Sequence, residues 1–272
     1  MNKTKIDWCD STWNPITGCF HGCDYCYARG ITERFGLSYT PKLGDPGMEG
    51  AGKYDSEMGL DTMLELEKPY RKHGIGKVEP YPAGFEPTFH KYRLNDYIDK
   101  KGRNIFVCSM ADLFGGWVSD EWIEEVMNAC YPQHNYLFLT KNVERYTEYG
   151  VPMDKNKWYG TSITKKSDID RFNYLPAFCN TFVSIEPLLE DLEVEKCGVM
   201  FLQVDWFIIG SETGRRKDKV VPDRKWIEDI VNECRKNGKP IFMKSSLADI
   251  WGEPLIQEFP EALRRGRRGS GE

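Results

Sequence analysis

Nowhere in the 272 residues do twenty apolar side chains run together, so the sequence predicts no membrane-spanning helix. The opening stretch, MNKTKIDWCD, lacks the apolar core of a secretory signal. Positive charge is not in excess either. The 37 Lys and Arg stand against 42 Asp and Glu, a net charge of −5, which removes any global attraction for nucleic acid and leaves only a local basic groove open. The one clear basic run, LRRGRRGSGE at 263–272, is glycine-rich and reads as a flexible, solvated tail. Cysteine is present but does not pair off: there are nine, an odd number. With no export signal the expected location is the reducing cytoplasm, where a disulfide framework does not form. What remains is a cytoplasmic chain of ordinary composition, long enough to bury a sizeable core.

Six cysteines, Cys9, Cys108, Cys130, Cys179, Cys197 and Cys234, are scattered and read as small buried hydrophobes. The other three are crowded into TGCFHGCDYCYARG, residues 17–30, as Cys19, Cys23 and Cys26. Zinc wants four ligands in a closed site, so it would need His21 or a distant residue besides these thiols, and the chain has no second C-x-x-C pair. An iron–sulfur cluster held by three thiolates keeps one iron open for a substrate or cofactor.

The rest of the chain supplies a setting. ARGITERFG reads as a short helix ending at Gly36, followed by a glycine-, proline- and charge-rich segment over 37–87. That segment is expected to be an irregular insertion, with a lid as its candidate role and a short helical turn at TMLELEKPY. From residue 88 onward, apolar runs of strand length alternate with amphipathic stretches. The strands fall in 103–110, 135–142, 157–164, 180–189, 204–214 and 239–246, and helical spacing in 120–131, 143–149, 167–175 and 223–238. A weaker first strand is placed at WNPITG, 13–18. This alternation predicts an α/β fold on a parallel sheet, one domain over 1–262. Each strand ends in polar residues, and the carboxyl ends of such strands form the ligand face. Lys141 and Lys244, read as ending neighbouring strands, are candidates to meet an anionic substrate.

The spacing Cys19-x3-Cys23-x2-Cys26, with Tyr25 before the last cysteine, resembles the signature of the radical SAM superfamily. The blocks IDWCDSTWNPITGC, CDYCYA, FVCSMADLFG, LFLTKNVERY, WYGTSI, FVSIEPLL and VDWFIIGSETG are similar to a phage-associated radical SAM-like family of unknown function, over most of 5–250. The resemblance implies a partial (β/α)6 barrel. It implies a [4Fe–4S] cluster on Cys19, Cys23 and Cys26, with S-adenosyl-L-methionine chelating the fourth iron, and Tyr25 beside the adenine. It implies reductive cleavage to a 5′-deoxyadenosyl radical that abstracts hydrogen from a substrate.

By the same resemblance the second-strand segment that holds the methionine amino group would fall at Ser109 and Asp112, without the family's usual glycines. Ser162 and Glu186 sit where ribose and methionine contacts fall, Glu186 being equally open to structural pairing. Gly210, Ser211 and Glu212 form the last such block. A small-molecule or nucleotide substrate, a phage DNA base among them, and an electron donor such as flavodoxin or ferredoxin are the implied partners. Two other readings stand beside this one: a zinc-stabilised, non-enzymatic binding module using the three cysteines and His21, and a cluster protein that binds the cofactor without turnover.

Overall fold

Short apolar runs, many of them β-branched or aromatic, supply the strands of a computed structural model that describes residues 4–36, 51–53, 63–71, 76–214 and 216–264. In chain order the strands are β1 (Ser11–Trp13), β2 (Ile16–Thr17), β3 (Ala51–Lys53), β4 (Leu64–Leu66), β5 (Thr88–His90), β6 (Asn104–Val107), β7 (Asn135–Thr140), β8 (Lys157–Ser162), β9 (Asn180–Ile185), β10 (Trp206–Ile209) and β11 (Ile241–Met243). The helices are α1 (Tyr27–Phe35), α2 (Asp120–Asn128), α3 (Arg145–Tyr149), α4 (Gly198–Leu202), α5 (Arg224–Lys236) and α6 (Ala248–Trp251).

Seven strands form the main sheet in the order β1-β6-β7-β8-β9-β10-β11, every neighbour pair parallel. Such strands are covered on both faces, which is why NIFV, WFII and IFM are buried throughout. On one face, α2 starts on Ser119, whose hydroxyl accepts from Trp122 N at 3.2 Å, and buries Trp122, Ile123, Val126 and Met127. Each such side chain contributes about 1.5–3 kcal/mol on burial. Helix α5 is capped by Asp223 and buries Ile227, Ile230, Val231 and Cys234 against the β9–β11 half.

The opposite face is concave. Trp8 lies 4.6 Å from the Phe106 ring on β6 and 6.3 Å from the Trp206 ring on β10, so those rings are at most about 11 Å apart. In a flat sheet the four steps between these strands would span about 19 Å. The sheet is therefore curled into a trough, floored by Trp8, Trp158, Phe182, Trp206 and Phe242.

A second sheet, ordered β2-β5-β4-β3, lies beside the first. It joins the main core through Ile16, Met63 and Phe89. Its presence corrects three expectations. The 62–70 stretch, read as a helical turn, contains the strand β4. The 37–87 insertion is not wholly irregular, since β3 and β4 are in it. The first main strand ends at Trp13, and Ile16–Thr17 belong to the second sheet. The remainder of the insertion at 37–50, 54–62 and 72–75, with its candidate lid, and 265–272 of the basic tail lie outside the described residues. The helix expected at 167–175 is a 3-10 stretch, Lys166–Tyr174. Among the described residues no helix is long and apolar enough to cross a membrane. Of the scattered cysteines, Cys108, Cys197 and Cys234 are buried, and Cys9, Cys130 and Cys179 are partly buried.

Candidate functional site

The cysteine loop is fastened at its root on both sides. Gly18 N donates to Met110 O at 2.9 Å, beyond the end of β6, and Cys19 N donates to Phe85 O at 3.1 Å, ahead of β5. Gly18 has φ +89°, and a Cβ on it would stand 2.2 Å from Glu86 O, so no other residue fits the close approach. At the far end of the loop Cys26 caps α1: its thiol accepts from Arg29 N at 3.4 Å, and its N–H donates to Cys23 O at 3.2 Å.

All three thiols are partly buried and line one cavity of about 690 Å³ at the carboxyl ends of the main strands. Burial pushes the Cys19 thiol up to about 12, and the charges of Asp112, Cys23 and Cys26 push in the same direction. Three thiolates so close would need a cation among them. Among the described residues no three His, Cys, Asp or Glu side chains are assembled as a metal site, these three thiols included. The donor set, three cysteines of one loop facing one cavity, fits an iron–sulfur cluster with an open iron.

Tyr25, Ser109, Asp112, Ser162, Glu186, Ser211 and Glu212 line the same cavity. Several of them are already engaged. Asp112 Oδ2 accepts from His21 Nε2 at 2.7 Å and from Thr140 Oγ1 and Lys141 N at 3.0 Å each, while Oδ1 accepts from Phe114 N at 3.0 Å. Four hydrogen bonds saturate this carboxylate and tie the cysteine loop to the ends of β6 and β7. Glu212 is gripped by Arg216, Nε to Oε1 at 2.7 Å and an NH2 to Oε2 at 2.6 Å, which holds its carboxyl below the usual range. The Ser211 hydroxyl donates to Ser246 O at 2.8 Å. The Ser109 hydroxyl donates to Asn14 Oδ1 at 3.1 Å.

Glu186 pairs with Lys244, yet burial still raises its carboxyl above the ordinary carboxylate value, and the nearby Asp7 charge adds to the rise. Gly210 does not line the cavity. It makes room for this pair, because a Cβ there would meet Lys244 Cδ at 3.0 Å and Glu186 Cγ at 3.2 Å. Lys244, at the end of β11, is four strands from Lys141 at the end of β7, which corrects the expectation of neighbouring strands. Lys141 instead donates to the Tyr25 hydroxyl at 2.5 Å, its ammonium 5.0 Å from the ring centre.

Four contributors were missed in the sequence. Asp7 accepts from Ser245 N at 2.8 Å through Oδ2 and has a buried Oδ1 without a partner among the described residues. Trp8, from the same opening segment, carries a buried indole N–H that finds no partner among the described residues. Ser184 lines the cavity from β9, and Tyr27 donates to Ser109 O at 2.5 Å. The Asp-Trp pair, a carboxylate beside a large aromatic ahead of the first strand, was the one available signal for the first two.

The chain belongs to the family described as "Protein of unknown function (DUF5131)", whose model matches residues 3–265. Among solved structures it is similar to spore photoproduct lyase complexed with dinucleoside spore photoproduct, at 10% identity and a TM-score of 0.48, over 92% of this chain and 76% of that one. A mutant of the same lyase, with and without the dinucleoside, is similar at 11% identity over the same shares, with TM-scores of 0.48 and 0.46. These likenesses are too low to carry a function across. No curated protein matches the chain.

Proposed function

We propose that this DUF5131 member is a radical S-adenosyl-L-methionine enzyme whose Cys19, Cys23 and Cys26 hold a [4Fe–4S] cluster, acting on a nucleotide or other small molecule. One observation carries the reading: three cysteines of a single clamped loop open into the cavity ringed by the polar carboxyl ends of a curled parallel sheet. When bound, the cluster supplies the electron that cleaves the cofactor's carbon–sulfur bond and so starts hydrogen abstraction.

The chain's own residues bind and enclose. Asp112 holds His21, and with it the loop, against β6 and β7. Lys141 fixes the Tyr25 ring for stacking on a flat heterocycle. The hydroxyls of Ser162 and Ser184 and the Glu186–Lys244 pair offer both signs of charge and hydrogen-bonding groups, suited to a zwitterion bearing a ribose. The aromatic floor of the trough excludes water beneath them. Electrons would come from a small redox protein such as flavodoxin or ferredoxin.

A second observation favours zinc. Asp112 accepts a hydrogen bond from His21 Nε2, and with the proton on Nε2 the lone pair sits on Nδ1, as in a carboxylate-oriented metal ligand. The two readings separate in one experiment. The protein is reconstituted anaerobically with iron and sulfide, then given dithionite and S-adenosyl-L-methionine, with 5′-deoxyadenosine read by mass spectrometry and Cys23→Ala as control. Cysteine-dependent product supports the enzyme. Stoichiometric zinc in the protein as purified, with no product after reconstitution, rejects it in favour of a binding module.

A further inference from the structure

A second hollow, of about 680 Å³, lies against the outer side of the cysteine loop. It is separate from the cavity above but shares His21, Cys23, Tyr25 and Lys141 with it, so the two meet at the loop. Its character differs. Four cations line it, Lys141, Lys165, Arg171 and Arg216, in a chain whose net charge is −5.

The two arginines are held from behind. Arg171 is fixed by Asp168 at 3.0 Å and donates to Ser162 O at 2.6 Å. Arg216 is fixed through two of its nitrogens by the buried Glu212. A guanidinium anchored on one edge by a carboxylate presents its remaining N–H groups in a fixed direction, which is how arginine recognises phosphate oxygens. The two lysines have no carboxylate at ion-pair distance among the described residues, and Lys165 is exposed. Two carboxylates also line the hollow. Asp168 is engaged by Arg171 through Oδ1 and by the Thr164 N–H and hydroxyl through Oδ2, at 2.9 and 2.8 Å. Asp24 is exposed and lies near Arg216, and among the described residues that line the hollow it is the opposing charge left facing it.

We infer that this groove holds the phosphate groups of a nucleotide or a nucleic-acid strand, whose base end passes Tyr25 and Lys141 into the cysteine-lined cavity. The role in substrate capture rests on the reading above. Binding of the phosphates does not, and it can be measured with no turnover.

The test is fluorescence polarisation of a labelled ten-nucleotide single strand on the full chain, cluster-loaded and cluster-free, with a nucleoside monophosphate and inorganic phosphate as competitors. Lys165→Glu should weaken binding about five- to tenfold and flatten the salt dependence by about one phosphate contact. Asp24→Asn should strengthen binding about twofold, by removing the opposing charge. Lys155→Glu makes the same charge change at the amino end of β8, away from the groove, and should leave binding as in the wild type.

Competition by the monophosphate at the strand's own affinity assigns the groove to a free nucleotide. Competition only by unlabelled strand assigns it to a nucleic acid. Equal weakening by Lys155→Glu and Lys165→Glu, or no binding of strand, monophosphate or phosphate at millimolar concentration, overturns the inference. If 5′-deoxyadenosine fails to form while these binding shifts appear, the groove stands and the radical chemistry falls.

Discussion

Replacing Gly18 by alanine tests whether the cysteine loop is positioned by backbone contact. The new Cβ would stand 2.2 Å from Glu86 O, 2.4 Å from Glu86 C and 2.7 Å from Phe85 O. All three are backbone atoms and cannot rotate away, so the loop must retreat by about 1 Å to restore ordinary van der Waals separation. That retreat stretches the Gly18 N–Met110 O and Cys19 N–Phe85 O hydrogen bonds. Losing the two costs about 2 kcal/mol. Holding an alanine at φ +89° adds about 1–2 kcal/mol. The sum, about 3–4 kcal/mol, is expected to lower Tm by roughly 6–10 °C in a chain of this size. It should also displace Cys19 enough to lower deoxyadenosine formation about a hundredfold.

Gly22→Ala is the matched control. Gly22 has φ +68° but nothing within 4 Å of its would-be Cβ, so only the conformational strain of about 1 kcal/mol applies. Calorimetry, iron content after reconstitution and product formation are measured on both. A Gly18→Ala protein that melts, loads iron and turns over like Gly22→Ala would refute the clamp.

Asp112→Asn keeps one acceptor oxygen but removes the charge that gathers His21, Thr140 and Lys141, and should destabilise the chain by about 2 kcal/mol in chemical denaturation. Iron loading should fall with it, since the loop loses its tie to β7. Lys244→Met leaves Glu186 buried without its counter-charge. The Glu186 carboxyl is already raised in the folded state, so the native protein holds its proton more tightly than the unfolded chain, and stability falls as pH rises through the ordinary carboxylate value toward the raised one. Lys244→Met should steepen that fall, seen as a larger Tm drop between pH 4.5 and 7. Glu186→Gln in the same background should abolish the difference. An unchanged pH profile in Lys244→Met would show that the pair does not govern the charge on Glu186.

The strands of the main sheet were legible because a parallel strand covered on both faces must be apolar along its length: WFII and IFM could hardly be read otherwise. The small sheet was not legible for the same reason in reverse. Leu64 and Leu66 face inward with Glu65 between them, an alternation only three residues long, and a periodic signal needs more than that. β4 is held by neighbours remote in sequence, Thr88–His90 on one side and Ala51–Lys53 on the other. Ser11–Trp13 is as short, and it was misplaced by a few residues toward the more apolar Ile16.

At the site, position along a strand was readable and pairing was not. That a polar residue ends a strand follows from the sequence. That Glu212 closes on Arg216, Glu186 on Lys244, and Asp112 on four donors from three segments follows only from the curled sheet. This difference sorts the cavity's residues by what they can offer. A carboxylate held by several of the protein's own donors, as Asp112 and Glu212 are, stiffens the wall and costs about 1–3 kcal/mol to free, so it is a poor first contact for a ligand. Among the described residues, the groups without such commitments are the thiols of Cys19 and Cys23 and the hydroxyls of Ser162 and Ser184, with the buried Asp7 Oδ1 and Trp8 indole N–H finding no partner there. They line one cavity from different segments: the thiols from the loop after β2, the hydroxyls from β8 and β9, and the Asp7–Trp8 pair from the stretch ahead of β1, beside β11. On the proposed reading, a ligand that satisfies them all reaches both the cysteine loop and the polar strand ends. Asp112 and Glu212, bound to the protein's own donors, stiffen the cavity walls, while the Glu186–Lys244 pair is the charged contact that the proposed reading offers a ligand.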